Sequence, residues 1–229
     1  IKVLFQNKTD EDFIKKICKL KKTYLIKGSG VNLNVFKYSR KETEIPQVVL
    51  PARIVKSKGI MEFIYAAKLL KGKARFIICG EYDYEAKDYI SKEIINDYVS
   101  QGIIEYLGFR SDIYSILSKA SIVVLPSYRE GLPKALCEAS ACGKPIITTN
   151  VPGCRDAIFI NKSGLLVPPR DYLLLKKAIN KLLCDKNLRI KMGNEGRLYA
   201  EENFDILLIV EKHMKLYNAS IKKFNLWIN

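Results

Sequence analysis

Two acids eight positions apart, Glu130 and Glu138, lie in the run Ser127-Tyr-Arg-Glu-Gly-Leu-Pro-Lys-Ala-Leu-Cys-Glu-Ala-Ser-Ala-Cys-Gly-Lys-Pro-Ile-Ile-Thr-Thr149. An apolar strand pattern leads into this run, a helix pattern fills its middle, and a second apolar strand closes it. If Gly131 and Leu132 open the helix, with Pro133 in its first turn, the leading backbone N–H groups are unpaired and attract anions. Glu138 then lies a rise of roughly 12 Å beyond Glu130. Gly131, Lys134 and Glu138 fall on one stripe of such a helix. The arrangement suits an anionic ligand that also carries hydroxyls, which describes a nucleotide sugar. A carboxylate beside a diphosphate is repelled, so Glu130 suits sugar hydroxyls and Glu138 ribose hydroxyls. Spacing alone leaves another reading open, with Glu130 a solvated cap residue and Glu138 paired with Lys134.

The elements that must hold these residues alternate along the chain. Strand-like segments fall at Val3–Gln6, Tyr24–Lys27, Val48–Leu50, Arg75–Cys79, Ile103–Tyr106, Ile122–Leu125, Pro145–Thr148 and Gly164–Val167. Helical patterns fall at Asp10–Leu20 (capped by Thr9 or Asp10), Met61–Leu70, Tyr84–Val99, Ile113–Lys119, Leu132–Ala141, Asp171–Cys184, Asn187–Glu202 and from Asp205 onward. The polar stretch from Lys37 to Gln47 reads as a linker. Short continuous apolar strands separated by helices predict an α/β, doubly wound parallel sheet of Rossmann-like type from about residue 47. Ligands of such sheets sit beyond the carboxyl ends of the strands. The residues placed there include Ala52, Arg53, Lys56, Lys58 and Gly59, then Gly80, then Gly108, Phe109 and Arg110. The run from Ser127 to Leu132 and the trio Thr148, Asn150 and Gly153 complete the set.

Composition bounds the possibilities. The 229 residues are 48% hydrophobic and 28% charged, which is globular, and no apolar run approaches a membrane span. The chain opens Ile-Lys-Val-Leu-Phe without an initiator Met, so it reads as a fragment. Six cysteines (18, 79, 137, 142, 154 and 184) form no Cys-x-x-Cys pair and the single His is His213, which speaks against zinc. They read as reduced core residues of a cytoplasmic protein. The formal charge of +15 fits an anionic membrane surface or an anionic substrate, or a biased composition with lysines scattered over solvated faces. Nucleic acid is disfavoured, because no aromatic-basic binding motif accompanies the charge.

The run Glu130-Gly-Leu-Pro-Lys-Ala-Leu-Cys-Glu138-Ala-Ser-Ala-Cys-Gly-Lys-Pro-Ile resembles the E-x7-E signature of the retaining glycosyltransferases of family four, whose fold is the two-domain GT-B type. Pro51-Ala-Arg-Ile-Val-Lys-Ser-Lys-Gly59 is similar to that family's Gly-Arg-Leu…Lys-Gly segment, with Ala52 in place of the usual first Gly. Leu107-Gly-Phe-Arg-Ser-Asp-Ile113, Pro152-Gly-Cys-Arg-Asp156 and Ser163-Gly-Leu-Leu-Val-Pro-Pro-Arg-Asp171 match in order, and Gly28-Ser-Gly-Val-Asn-Leu-Asn-Val-Phe36 resembles the hand-over from the N-terminal domain to the linker. The resemblance implies a three-part organisation. Residues 1–46 would be the tail of an N-terminal acceptor domain plus linker, 47–204 a nucleotide-sugar donor-binding domain, and 205–229 a helix returning to the N-terminal domain. The apolar face of that helix, including Ile206, Leu207, Val210, Met214 and Trp227, would then be exposed.

The resemblance also implies roles. Arg53 and Lys58 hold the donor diphosphate and neutralise the leaving group. Glu130 contacts the transferred sugar, and the N–H groups of Gly131 and Leu132 contact sugar or phosphate oxygens. Glu138 takes the ribose, Phe109 and Arg110 flank the base, and Gly80 allows close approach. The expected reaction moves a hexose-type sugar from a nucleoside-diphosphate sugar, UDP-linked, to a glycan or polyprenyl-linked saccharide in cell-surface polysaccharide synthesis. It proceeds with retention, by same-face substitution through an oxocarbenium-like state. No cofactor or metal is expected, and Asp83-Tyr-Glu85 reads as a helix start rather than a metal motif. Cytoplasmic residence, peripheral on the membrane's cytoplasmic face, is expected, since sugar transfer to a polyprenyl-linked or polysaccharide acceptor there fits the basic charge. A non-catalytic nucleotide-sugar-binding module and an epimerase or phosphorylase on the same fold are the rival classes.

Overall fold

The computed structural model describes the backbone of residues 2–20 and 22–228, and side chains as far as Ile221. Its centre is a six-stranded, all-parallel sheet. Two further strands, β1 (Val3–Phe5) and β2 (Thr23–Leu25), pair in parallel as a separate two-stranded sheet around the crossover helix α1 (Lys8–Cys18). The central sheet contains β3 (Gln47–Pro51), β4 (Arg75–Cys79), β5 (Glu105–Tyr106), β6 (Ile122–Leu125), β7 (Ile146–Thr149) and β8 (Gly164–Val167). Between and after them run α2 (Ile60–Leu69), α3 (Lys92–Ser100), α4 (Ile113–Leu117), α5 (Lys134–Ala141), α6 (Tyr172–Cys184), α7 (Lys186–Asn203) and α8 (Ile206–Ile228). The spatial order is β5-β4-β3-β6-β7-β8. The winding therefore reverses between β3 and β6, the doubly wound topology expected from the sequence.

The pleat explains why β3 is buried along its whole length. Alternate residues face opposite sides. Val48, Leu50, Ile78, Ile122 and Val124 pack with Phe63 and Ile64 of α2 and with Leu175 and Ile179 of α6. Val49, Ile77, Val123 and Ile146 pack on the other face with Leu117, Leu136 and Ala139. Helices on both faces leave no solvated side for polar residues, hence the continuous apolar strands.

Four expectations are corrected. The cap of α1 is Asn7, whose side chain accepts from the Asp10 N–H at 2.8 Å, not Thr9 or Asp10. The helix expected at Tyr84–Val99 begins only at Lys92, after Ser91 in extended conformation. Residues 81–90 instead fold back along the exit of β3, where Ile54 bridges Tyr82 and Val55 bridges Tyr89. Tyr82 stacks on Tyr84 and edges against Tyr106, with Lys92 over both Tyr82 and Tyr84. These contacts override helical propensity. Consequently Asp83 does not start a helix; its carboxylate pairs with Arg53. The helix expected at Leu132–Ala141 begins at Lys134, with Pro133 as an extended N-cap.

The linker is irregular, as its composition predicts, yet it is fastened to the large sheet's helices. Ser39 N–H donates to the Cys142 carbonyl at 3.1 Å. Lys144 Nζ donates to the Lys41 carbonyl at 3.0 Å. Arg189 forks onto both oxygens of Glu42 at 3.0 and 2.8 Å.

Candidate functional site

The point where strand order reverses is where such sheets place ligands, and the loops leaving β3 and β6 meet there. Residues Lys56–Lys58 form one 3-10 turn, closed by Gly59 in the left-handed region at φ 73°. A Cβ on Gly59 would stand 2.3 Å from the Pro126 carbonyl oxygen, so only glycine lets the two exits touch. Asp88 holds the turn from outside, accepting from Ser57 N–H at 2.7 Å while its own carbonyl accepts from Lys56 N–H at 2.8 Å. Hydrogen bonds from the Ser57 side chain and backbone keep the Asp88 carboxyl below its usual range. Tyr128 N–H donates to the Ser57 carbonyl at 2.8 Å, which sews the loop after β6 to the same turn.

This scaffold brings Lys58 and Glu130, 72 positions apart, to 2.5 Å. Ser127, fully buried, donates its hydroxyl to the same Glu130 oxygen at 2.7 Å. Both bonds fall on Oε1; Oε2 accepts no hydrogen bond among the described residues. The open reading of Glu130 as a solvated cap is therefore set aside. Its side chain is 12% exposed and sits in a loop, not on a helix.

The remaining expected residues are placed as follows. Arg53 is 56% exposed at the rim and paired with Asp83. Gly131 and Leu132 lie in the loop before α5, and their N–H groups donate no hydrogen bond among the described residues. The leading N–H groups of α5, those of Lys134 and Ala135, are likewise unpaired among the described residues. Glu138 lies one helical turn on and is 12% exposed, with Lys134 Nζ at 3.7 Å. Burial pushes its carboxyl pKa up, and Lys134 opposes this only partly. Because the helix starts at Lys134, the helical rise expected from Glu130 to Glu138 does not apply. Gly80 is demanded first by packing, since a Cβ there would stand 1.9 Å from the Ala52 carbonyl. Phe109 is 69% exposed, and Arg110 is forked onto Asp112 at 2.7 and 2.8 Å.

Some residues of the site were not read from the sequence. Ser127 lies inside the quoted run, but nothing in its type distinguishes it from a turn serine. Asp88 carries no local signal, since its role depends on a turn 31 positions away. Tyr128 donates to Glu62 Oε1 at 2.6 Å and lies under the Arg170 guanidinium at 4.4 Å, which three distant segments assemble. Asn7, 1% exposed, donates to the Gly131 carbonyl at 2.9 Å. Its type and the Asp three places later did signal a cap, but the bond to Gly131 spans 124 positions. No group of three or more His, Cys, Asp or Glu residues that could hold a metal occurs among the described residues.

A family model described as "Glycosyl transferases group 1" matches residues 32–199, most of the chain. The chain belongs to the group 1 glycosyltransferase family. This member is 34% identical over 233 residues to the N,N'-diacetylbacillosaminyl-diphospho-undecaprenol alpha-1,3-N-acetylgalactosaminyltransferase of Campylobacter jejuni, covering 96% of this chain and 60% of that protein. It is 30% identical over 178 residues to the capsular polysaccharide biosynthesis glycosyltransferase CapM of Staphylococcus aureus, covering 75% of this chain and 45% of that one. Among solved structures, the sucrose-phosphate synthase of Thermosynechococcus elongatus superimposes with a TM-score of 0.86 at 25% identity, over 97% of this chain and 59% of that one. The group 1 chain thus spans about half to three fifths of the length of these relatives. The Rossmann-like, GT-B-type architecture and the family-four resemblance both stand.

Proposed function

We propose that this group 1 glycosyltransferase chain is the donor-handling part of an enzyme that moves a hexose-type sugar from a nucleoside-diphosphate sugar, UDP-linked, to a saccharide or polyprenyl-linked saccharide. The observation that carries the reading is the Lys58–Glu130 pair at the strand-order reversal, flanked by the amides of Gly131 and Leu132, which donate to none of the described residues. Lys58 supplies charge for a diphosphate. Glu130, with Oε1 occupied, keeps Oε2 for a sugar hydroxyl. Arg53 at the rim exchanges Asp83 for phosphate oxygens when the donor arrives. Glu138 offers a largely buried carboxylate to the ribose, where exclusion of water strengthens each hydrogen bond. Phe109 and Arg110 are placed to flank the base, the former by its exposed ring.

Arg53 and Lys58 together neutralise charge that grows on the departing diphosphate, the kind of term that dominates polar catalysis. Same-face substitution with retention is the reaction proposed, the leaving diphosphate, held by Arg53 and Lys58, accepting the acceptor's proton. The acceptor class is supported by the undecaprenol-linked substrate named for the Campylobacter relative. The +15 charge suits the anionic cytoplasmic face of a membrane. No helix among the described residues is long and apolar enough to cross a membrane.

The domain organisation belongs to the same proposal: 1–46 the end of an acceptor domain and linker, 47–204 the donor domain, 205–229 the returning helix. Support comes from the separate β1–β2 sheet and from α8 lying along it. Lys2 Nζ donates to Ser220 Oγ at 2.8 Å, and Val3, Leu4, Tyr24, Leu216 and Tyr217 line a groove of about 210 Å³ between them. Leu207, Val210 and Met214 are exposed, as expected, whereas Ile206 packs against Gly30; the Trp227 side chain lies outside the described residues.

The test is calorimetric titration of the chain with UDP, GDP, ADP and their hexose conjugates. Micromolar to millimolar binding of one nucleotide is expected, and Lys58→Met should weaken it about tenfold or more, as loss of a charged hydrogen bond does. Binding of none of them, or undiminished binding by Lys58→Met, would falsify the assignment. Retention is read separately, from the anomeric configuration of product made by the full-length enzyme.

A further inference from the structure

The Glu130 and Gly131 carbonyl oxygens both crowd the backbone of Gly153. A Cβ on Gly153, which adopts φ 77°, would stand 2.4 Å from both the Glu130 and the Gly131 carbonyl oxygens. The Gly131 oxygen also accepts the Asn7 Nδ2–H at 2.9 Å. Peptides are planar and no cis bond occurs among the described residues. The N–H of each unit therefore points opposite its carbonyl. Gly131 N–H opposes the Glu130 carbonyl, and Leu132 N–H opposes the Gly131 carbonyl. The Leu132 N–H therefore faces away from Asn7, and neither it nor the Gly131 N–H donates to any described residue.

Such a pair needs an external hold. Gly131 has no side chain to restrict its dihedrals, so the Gly131–Leu132 peptide can rotate at little steric cost. The Leu132 side chain restrains one end, packing under the turn at Gly28. The direct polar restraint on the carbonyl is Asn7. Asn7 is itself rigid: it is 1% exposed, its Oδ1 caps α1 through the Asp10 N–H at 2.8 Å, and its Nδ2 also donates to Asp10 Oδ2 at 2.8 Å. Gln6 Oε1 closes the same side, 2.7 Å from where a Gly131 Cβ would be.

We propose that Asn7 is a positioning residue of the donor site, which by holding the Gly131 carbonyl aims the Leu132 N–H at the bound nucleotide sugar. The proposal rests on the donor-site reading above. It makes the β1–α1 unit, outside the large sheet, part of donor recognition: an amide aimed before the ligand arrives costs no reorganisation on binding.

Two substitutions separate this role from helix capping. Asn7→Asp and Asn7→Ser both keep an oxygen for the Asp10 N–H. Neither can donate to Gly131 at neutral pH, the first because it is a carboxylate and the second because it is too short. Titration of the full chain with UDP, GDP and ADP should show about tenfold weaker binding of the preferred nucleotide in both variants. The thermal midpoint should fall little in Asn7→Ser, whereas in Asn7→Asp it should fall at neutral pH, where the new carboxylate meets Asp10 Oδ2, and rise again with acid. The introduced carboxyl of Asn7→Asp becomes a donor again when protonated. Its affinity, taken relative to wild type at each pH, should therefore recover as the pH falls, whereas Asn7→Ser should not recover. Lys8 and Arg155, charged groups at this end of α1, are common to all three proteins, whereas Asp10 Oδ2 faces the introduced carboxylate directly and shifts its titration upward, so recovery in Asn7→Asp should begin at a higher pH than for an isolated carboxylate. Unchanged affinity in both variants overturns the inference, as does a loss that merely tracks a lowered midpoint without recovery at low pH. A wild-type chain that binds none of the three nucleotides overturns the donor-site reading, and this inference with it.

Discussion

Glu138 shows how one buried carboxylate can report on its own role. Burial raises its pKa from the ordinary 4.5, and Lys134 at 3.7 Å compensates only in part. A folded-state pKa raised above the unfolded value means that the fold binds this proton more tightly than the open chain does. The stabilising contribution of the protonated form is therefore complete below pH 4.5 and is lost as pH rises through the elevated folded value. Glu138→Gln should accordingly raise the thermal midpoint at pH 7 to 8, and the gain should shrink to nothing under acid conditions. If Glu138 holds the ribose as proposed, the same variant should bind nucleotide less well, because the amide is a weaker, uncharged acceptor. Scanning calorimetry across pH, with and without nucleotide, checks both halves. A lower midpoint at pH 8 would show that the ion pair outweighs desolvation. Lys58 and Glu130 are a different case, for their motif identities were legible but their mutual bond was not. The sequence puts Glu130 at the start of a helix opening at Gly131 or Leu132, whereas the helix begins at Lys134 after an extended Pro133, which leaves Glu130 in a loop that reaches Lys58.

At the scale of elements, the site is made by loops that touch through glycine. Gly59 lets the exit of β3 meet Pro126, and Gly153 lets the loop after β7 meet the Glu130 and Gly131 carbonyls. Gly153→Ala would place a methyl group 2.4 Å from both oxygens, on a backbone at φ 77° that an L-residue resists. The expected cost is about 2 kcal/mol or more in stability, measurable by urea denaturation. Nucleotide affinity should fall as well, since the two amides opposite those carbonyls are displaced. Full affinity in a stably folded Gly153→Ala protein would separate the amides from donor binding. Element types were readable where burial enforces periodicity: β3, β4, β6 and β7 are near-continuous apolar runs because both faces are covered. The segment from Glu81 to Ile90 was not readable. Its tyrosines look helical by spacing, but Tyr82 stacks on Tyr84 and edges against Tyr106, Lys92 lies over both stacked rings, and Asp88 holds the turn that carries Lys58.

At the scale of the whole molecule, the two sheets should differ in stability. Six paired strands with helices on both faces bury their hydrogen bonds deeply, whereas β1 and β2 are two short strands between α1 and the exposed helix α8. Amide exchange followed by mass spectrometry should therefore show residues 3–25 opening faster than β3, β4, β6 and β7. Nucleotide should slow exchange in the loop after β6 and, through Asn7, at the start of α1. Equal protection in both sheets would contradict the picture of one dominant core.

The order of short apolar strands, the acids at 130 and 138, and the basic residues at 53 and 58 were determined by the sequence alone. Apolar periodicity is a local property, and motif residues keep their spacing whatever they touch. Tertiary structure decided what those residues do to one another. The Lys58–Glu130 pair, the Asp88 brace, the fastening of the linker by Lys144 and Arg189, and the bond from Asn7 to Gly131 each join segments far apart in the chain. Side-chain reach and peptide orientation arise only once the sheet has set where each loop ends, so no local pattern could have carried them.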